Sequence, residues 1–111
     1  MTNGKNTWVW QALSGLLLVF LLGLHLFVNH FMAGGLLTYD DIVAYLSNPW
    51  ILTLEVLFLA AVISHAMLGV RALALDQGAS RQQARRLDRI LIGVGMALFL
   101  YGVWLFRAIL T

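Results

Sequence analysis

The sequence predicts an all-α membrane protein of three transmembrane helices, with its N-terminus cytoplasmic and its C-terminus external. Three observations carry that prediction. Of the 111 residues, 61% are hydrophobic and only 11% charged, with a mean hydropathy of +0.87, where a soluble domain carries about 25% charged residues. Three apolar stretches of about 20 residues or more fill most of the chain, each long enough as a helix to cross a hydrocarbon core of about 30 Å. The basic residues, five of seven between Arg71 and Arg89, stand beside those stretches, where they act as topology signals and not as a nucleic-acid surface, despite the net charge of +2 and pI near 9.5. One transmembrane domain, residues 1–111, leaves no room for a second. The absence of cysteine excludes disulfides, thiolate metal sites, cysteine-ligated clusters and cysteine nucleophiles. Any redox cofactor on this chain would be held by His or Met.

Span I covers about residues 8–32, 25 residues from Trp8 to Met32 without a formal charge. Its apolar run exceeds the 7–15 residues of a signal-peptide core, and no Ala-x-Ala cleavage site follows, so it reads as a retained anchor. A short interfacial segment follows at about 40–47. Asp40 would cap it, and Ile42, Val43, Tyr45 and Leu46 would face lipid headgroups or a partner. Span II covers about 50–75, with Asn48 as N-cap and Pro49 in the first turn. Gly78 suits its C-cap, and Ser80 starts a helical extension through Arg81, Arg85 and Arg89 into span III, about 90–110. That basic stripe suits anionic lipid or an acidic peripheral partner. The loop between spans I and II carries Asp40 and Asp41 and no Lys or Arg, which places it outside and the arginine-rich loop inside.

All three histidines, His25, His30 and His65, fall within apolar spans, where an ionisable side chain is costly and marks a functional candidate. The bland alternative is a neutral imidazole that hydrogen-bonds across a helix contact, strongest for His30 near the outer end. Counted from the cytoplasmic ends, His25 lies roughly 25 Å along its helix and His65 roughly 15 Å. At different levels they cannot share one iron, but each can give one axial bond to its own haem, the opposite bond coming from another subunit. Gly69, four residues after His65, leaves room for a flat macrocycle, and Gly15, Leu18, Leu22, His25 and Asn29 form a stripe on span I. Plain helix packing explains such spacing equally well. Arg71 reads either as a partner for a haem propionate or as a snorkelling anchor. Glu55, near the outer end of span II, reads first as reaching water and second as a hydrogen-bond partner of a ligand histidine.

Ser14-Gly15 followed by His25 and Asn29-His30, together with His65-Ala66-Met67-Leu68-Gly69-Val70-Arg71 and Asp76, resembles the membrane-anchor subunits of succinate dehydrogenase, the smaller second anchor most closely. The resemblance covers roughly Trp8 to Gly78, and span III is similar only in length and hydrophobicity. It implies a four-subunit complex: a flavoprotein with FAD, an iron–sulfur subunit, and two three-helix anchors that pair into a helical bundle holding haem b and a quinone site. Carried over, His65 would ligate the proximal haem and His25 the distal one, with Arg71, His30 and Asn29 near propionates or ligands. Asp76, Gln77, Ser14 and Trp10 would stand near quinone. Two departures bear on that quinone site: Ala12 stands where fuller motifs have Arg, and Gln77 where they have Tyr. The resemblance implies an anchor without succinate chemistry of its own; no mitochondrial targeting segment precedes span I, which predicts the cytoplasmic membrane of a bacterium or archaeon. The competing readings are a small transporter or channel subunit with a histidine proton relay, and a structural subunit of another respiratory complex.

Overall fold

The structure is a computed structural model that describes residues 4–32, 34 and 38–111. The chain runs through α1 (Gly4–Phe27), one π-helical turn (Val28–Met32), α2 (Tyr39–Leu46), α3 (Pro49–Asp76) and α4 (Arg81–Leu110). There is no strand among the described residues. Three segments are long and apolar enough to cross a membrane, Asn6–Phe31, Pro49–Asp76 and Arg81–Leu110. α3 is the central helix, packed by α1 and by α4, with α2 lying across α3 and α4.

Local chemistry sets each boundary. Asn48 caps α3 by accepting from the Trp50 amide at 3.0 Å, with Pro49 in the first turn, where its missing N–H costs nothing. α3 closes in a Schellman arrangement: the Gly78 amide donates to the Leu75 carbonyl and the Ala79 amide to the Ala74 carbonyl. Gly78 adopts φ +89° there, a conformation that a Cβ disfavours. Ser80 and Gln83 form a reciprocal capping box at the start of α4, so one helix runs from the arginine stripe through span III. At 30 residues it is about 45 Å long, some 15 Å more than the hydrocarbon core requires.

α2 departs from the expectation on two points. Its N-cap is Thr38, boxed with Asp41, while Asp40 lies inside the first turn. Tyr45 and Leu46 do not face headgroups: they are 8% and 4% exposed, turned onto the bundle. The Tyr39 hydroxyl ties the other end of α2 to the Ile109 carbonyl of α4 at 3.2 Å. Because lipid tails are as apolar as leucine, close packing and polar contacts hold such helices together. Gly95 lets α4 approach Ile63 and Met67 of α3, and Gly102 receives the Leu59 side chain.

Candidate functional site

α1 and α3 cross antiparallel, and each presents a glycine to a polar side chain of the other. His65 lies against Gly15, where an added Cβ would stand 3.2 Å from the imidazole Cε1. Gln11 in turn lies over Gly69, its Nε2 3.7 Å from an added Cβ. The space over Gly69, read from the sequence as room for a flat ligand, is thus taken by the Gln11 amide. His65 Nδ1 is 3.0 Å from Ser14 Oγ, and Ser14 donates its hydroxyl proton to the Gln11 carbonyl at 2.8 Å. With that single proton committed, Ser14 Oγ accepts from the imidazole. His65 is therefore held as the Nδ1–H tautomer, and Nε2 carries the lone pair.

A second cluster joins α1, α2 and α3. His25 Nδ1 lies 2.8 and 3.0 Å from the two carboxylate oxygens of Glu55. Tyr45 donates to Glu55 Oε1 at 2.6 Å, and Asn29 Nδ2 donates to the Tyr45 hydroxyl at 3.1 Å and to the His25 carbonyl at 2.6 Å. This last bond gives the His25 carbonyl a side-chain partner where the helix widens into its π turn. Glu55 is only 11% exposed at its side chain, so it turns inward to His25 and does not reach for water. Burial first, then the hydrogen bond and charge of Glu55, push the Tyr45 hydroxyl well above its ordinary 10.0, against a smaller opposing effect of Asn29. Tyr45 therefore remains a proton donor throughout the physiological range. His25 also packs against Phe58, with ring centroids 5.1 Å apart.

Neither histidine has a protein partner at Nε2 among the described residues. No buried side-chain nitrogen or oxygen there lacks a partner, so both Nε2 atoms reach the outside of this chain. Where Nδ1 carries the ring proton, Nε2 presents a free lone pair that can bond a metal. No group of three or more His, Asp or Glu side chains gathers into a metal cage among the described residues. A metal would need ligands from elsewhere.

Arg71 does not snorkel. It is 6% exposed, donates from Nε to Asp88 Oδ1 at 2.8 Å and from Nη1 to Thr7 Oγ1 at 3.3 Å, and so clamps α1, α3 and α4 at one end of the bundle. Asp88 and Thr7 were not singled out in the sequence, although Asp88 is the lone acid in an arginine-rich run, a signal for a specific pairing. His30 is exposed on the π turn, and Trp10, Asp76 and Gln77 are exposed too, the latter two at the end of α3. Only Ser14 of the four quinone candidates lies within a described polar cluster. An apolar groove of about 400 Å³ between α3 and α4, lined by Ile63, Ser64, Met67, Leu91, Gly95 and Phe99 among others, contains none of the candidate residues.

The sequence model of the succinate dehydrogenase/fumarate reductase transmembrane subunit family matches residues 2–104. The chain belongs to this family. The succinate dehydrogenase hydrophobic membrane anchor subunit of Archaeoglobus fulgidus is 30% identical over 102 residues, 92% of this chain and 87% of the relative. Its counterpart in Thermoplasma acidophilum is 29% identical over 93 residues, 83% of this chain and 76% of the relative. No solved structure matches. The family match runs on through α4 to residue 104, beyond the Trp8–Gly78 region that carries the recognisable motif. This transmembrane subunit is a multi-pass membrane protein, and its helices are joined by the hydrogen-bonded His65–Ser14 and His25–Glu55 pairs and by the Arg71–Asp88 ion pair.

Proposed function

We propose that this chain is a haem b-binding anchor of a succinate:quinone oxidoreductase, in which His65 and His25 would each hold a separate haem iron through Nε2. A partner anchor would supply the remaining protein ligands. The observation that carries the reading is the shared state of the two histidines: Nδ1 anchored, Nε2 bare and open to the outside of the chain. Metal-bound histidines characteristically donate the other ring N–H to a fixed acceptor. A bare polar nitrogen against lipid costs several kcal/mol, which an axial bond removes. The donor set, two neutral imidazoles and no thiolate, fits b-type haem. Held by these residues, haem would supply one-electron transfer.

The remaining residues hold and orient. Ser14 and Gln11 fix the His65 ring, Glu55 fixes His25, and Arg71 secures the helices around them. Asp76 and Gln77, exposed at the end of α3, are offered to quinone with Ser14 and Trp10 as neighbours in the assembled site. The flavoprotein carries FAD and oxidises succinate, the iron–sulfur subunit relays electrons, and this chain anchors both in a bacterial or archaeal cytoplasmic membrane. Anaerobic addition of succinate to the purified complex is expected to produce a reduced b-type spectrum. A complex with succinate activity and no Soret band overturns the haem assignment. It would favour the proton-relay alternative, for which the Tyr45–Glu55–His25 chain of hydrogen bonds is the supporting feature.

Docking of the soluble subunits falls to the arginine stripe. Arg81, Arg85, Arg86 and Arg89 are exposed, and the one acid beside them, Asp88, is turned inward to Arg71. From Arg81 to Arg89 the stripe rises about 12 Å, more than the roughly 5–8 Å headgroup layer on one side of a bilayer. Its side chains lean toward the helix N-terminus, away from the hydrocarbon. An acidic protein surface covers such a stripe where lipid alone cannot. Arg81→Glu with Arg85→Glu is expected to release flavin-containing subunits from membranes at several-fold lower salt than wild type. An unchanged salt-release curve removes the stripe from the docking surface.

A further inference from the structure

The outer polar cluster has a direction built into it. Asn29 Nδ2 donates to the Tyr45 oxygen, so the Tyr45 proton goes to Glu55 Oε1, and both Glu55 carboxyl oxygens lie within 2.8 to 3.0 Å of His25 Nδ1, placed to accept its proton. Asn29 Nδ2 also stands 3.4 Å from His25 Nδ1, farther than either Glu55 oxygen. A neutral imidazole can otherwise carry its proton on either nitrogen, and only one choice leaves Nε2 able to bond a metal. Glu55 stands six residues into α3, near enough the membrane edge for a free glutamate to extend toward water. What keeps it on His25 is Tyr45, carried by α2, an element outside the three candidate spans and buried against the bundle through Tyr45 and Leu46.

We propose that Glu55 is a positioning residue that orients the His25 ring, with Nδ1 bonded to its carboxyl and Nε2 turned outward to hold iron, and that Tyr45 on α2 is the strap that keeps Glu55 in place. This deepens the haem reading and rests on it for the identity of the ligand. His65 is set by a different device, the Ser14 hydroxyl aimed by the Gln11 carbonyl, so the two histidines respond independently. The two rings therefore have different outer partners, a carboxyl group for His25 and a hydroxyl for His65. The neighbours act on one histidine and leave the other alone.

The test uses the assembled complex with Glu55→Gln, Glu55→Leu and Tyr45→Phe, reading haem content, the low-spin ferric electron paramagnetic resonance signals and the midpoint potentials. Glu55→Leu is expected to lose one haem of two and keep the other. Glu55→Gln, whose amide oxygen still accepts from Nδ1, is expected to keep both haems while one signal moves and its potential rises. Tyr45→Phe is expected to move the same signal in the same direction by less, and the second signal stays fixed throughout. If Glu55→Gln and Tyr45→Phe leave both signals and potentials unchanged, or shift both haems alike, the positioning role fails while the haem reading stands. Wild-type complex without haem overturns both.

Discussion

Asp88→Ala is expected to destabilise the bundle by on the order of 3 kcal/mol. Arg71 is 6% exposed and its Nε lies 2.8 Å from Asp88 Oδ1. A guanidinium cannot shed its charge, so removing the carboxylate takes the Asp88 counter-charge away from a buried cation. The loss comes from desolvation of the survivor more than from the pair itself. For that reason a double replacement, Arg71→Met with Asp88→Leu, is expected to recover much of the stability lost by Asp88→Ala alone. Denaturation of the purified complex in mixed detergent, followed by helical circular dichroism, checks both. Equal stability of Asp88→Ala and wild type would mean that the ion pair does not hold α3 to α4.

Gly15→Val is expected to expel the His65 imidazole from its seat. Even the Cβ of alanine would stand 3.2 Å from Cε1 of that ring, and valine adds two methyl groups to the same space. Overpacking of this kind costs about 1–3 kcal/mol, comparable with the hydrogen bond to Ser14, so the ring turns away and that bond is lost. Haem content is expected to fall by one of two with the His25 haem retained. Gly15→Ala, which asks the ring to yield only a few tenths of an ångström, is expected to keep both haems with reduced occupancy at one. Full haem content in Gly15→Val would contradict the close fit of His65 on Gly15.

The long helices were readable because bilayer thickness filters for them: an uncharged run from Trp8 to Met32 has few alternatives to a span. Their ends were readable where a side chain caps its own turn, as with Asn48 and Ser80, or where a glycine takes positive φ, as Gly78 does. Contacts between helices were not. Whether Glu55 snorkels or bonds His25 depends on which face α1 turns toward α3, and no spacing within one helix fixes that. Tyr45 sits in an eight-residue helix whose amphipathic pattern suits headgroups and a bundle equally. The Arg71–Asp88 pair spans 17 residues and a reversal of direction, so an arginine at the membrane edge looked like an anchor. Gly15 and Gly69 were recognised as gaps, but their occupants, His65 and Gln11, belong to the facing helix. The candidate histidines stood out only because ionisable groups are rare at that depth.

The central claim is that His65 and His25 are the haem ligands of this chain. Pyridine haemochromogen quantification per copy of the chain, on assembled complex from wild type, His65→Ala and His25→Ala, tests it most directly. Two haems b in wild type and one in each variant, with different spectra for the two survivors, is the expected result. Full haem content in both variants, or none in wild type, would contradict it and return the histidines to packing or proton transfer.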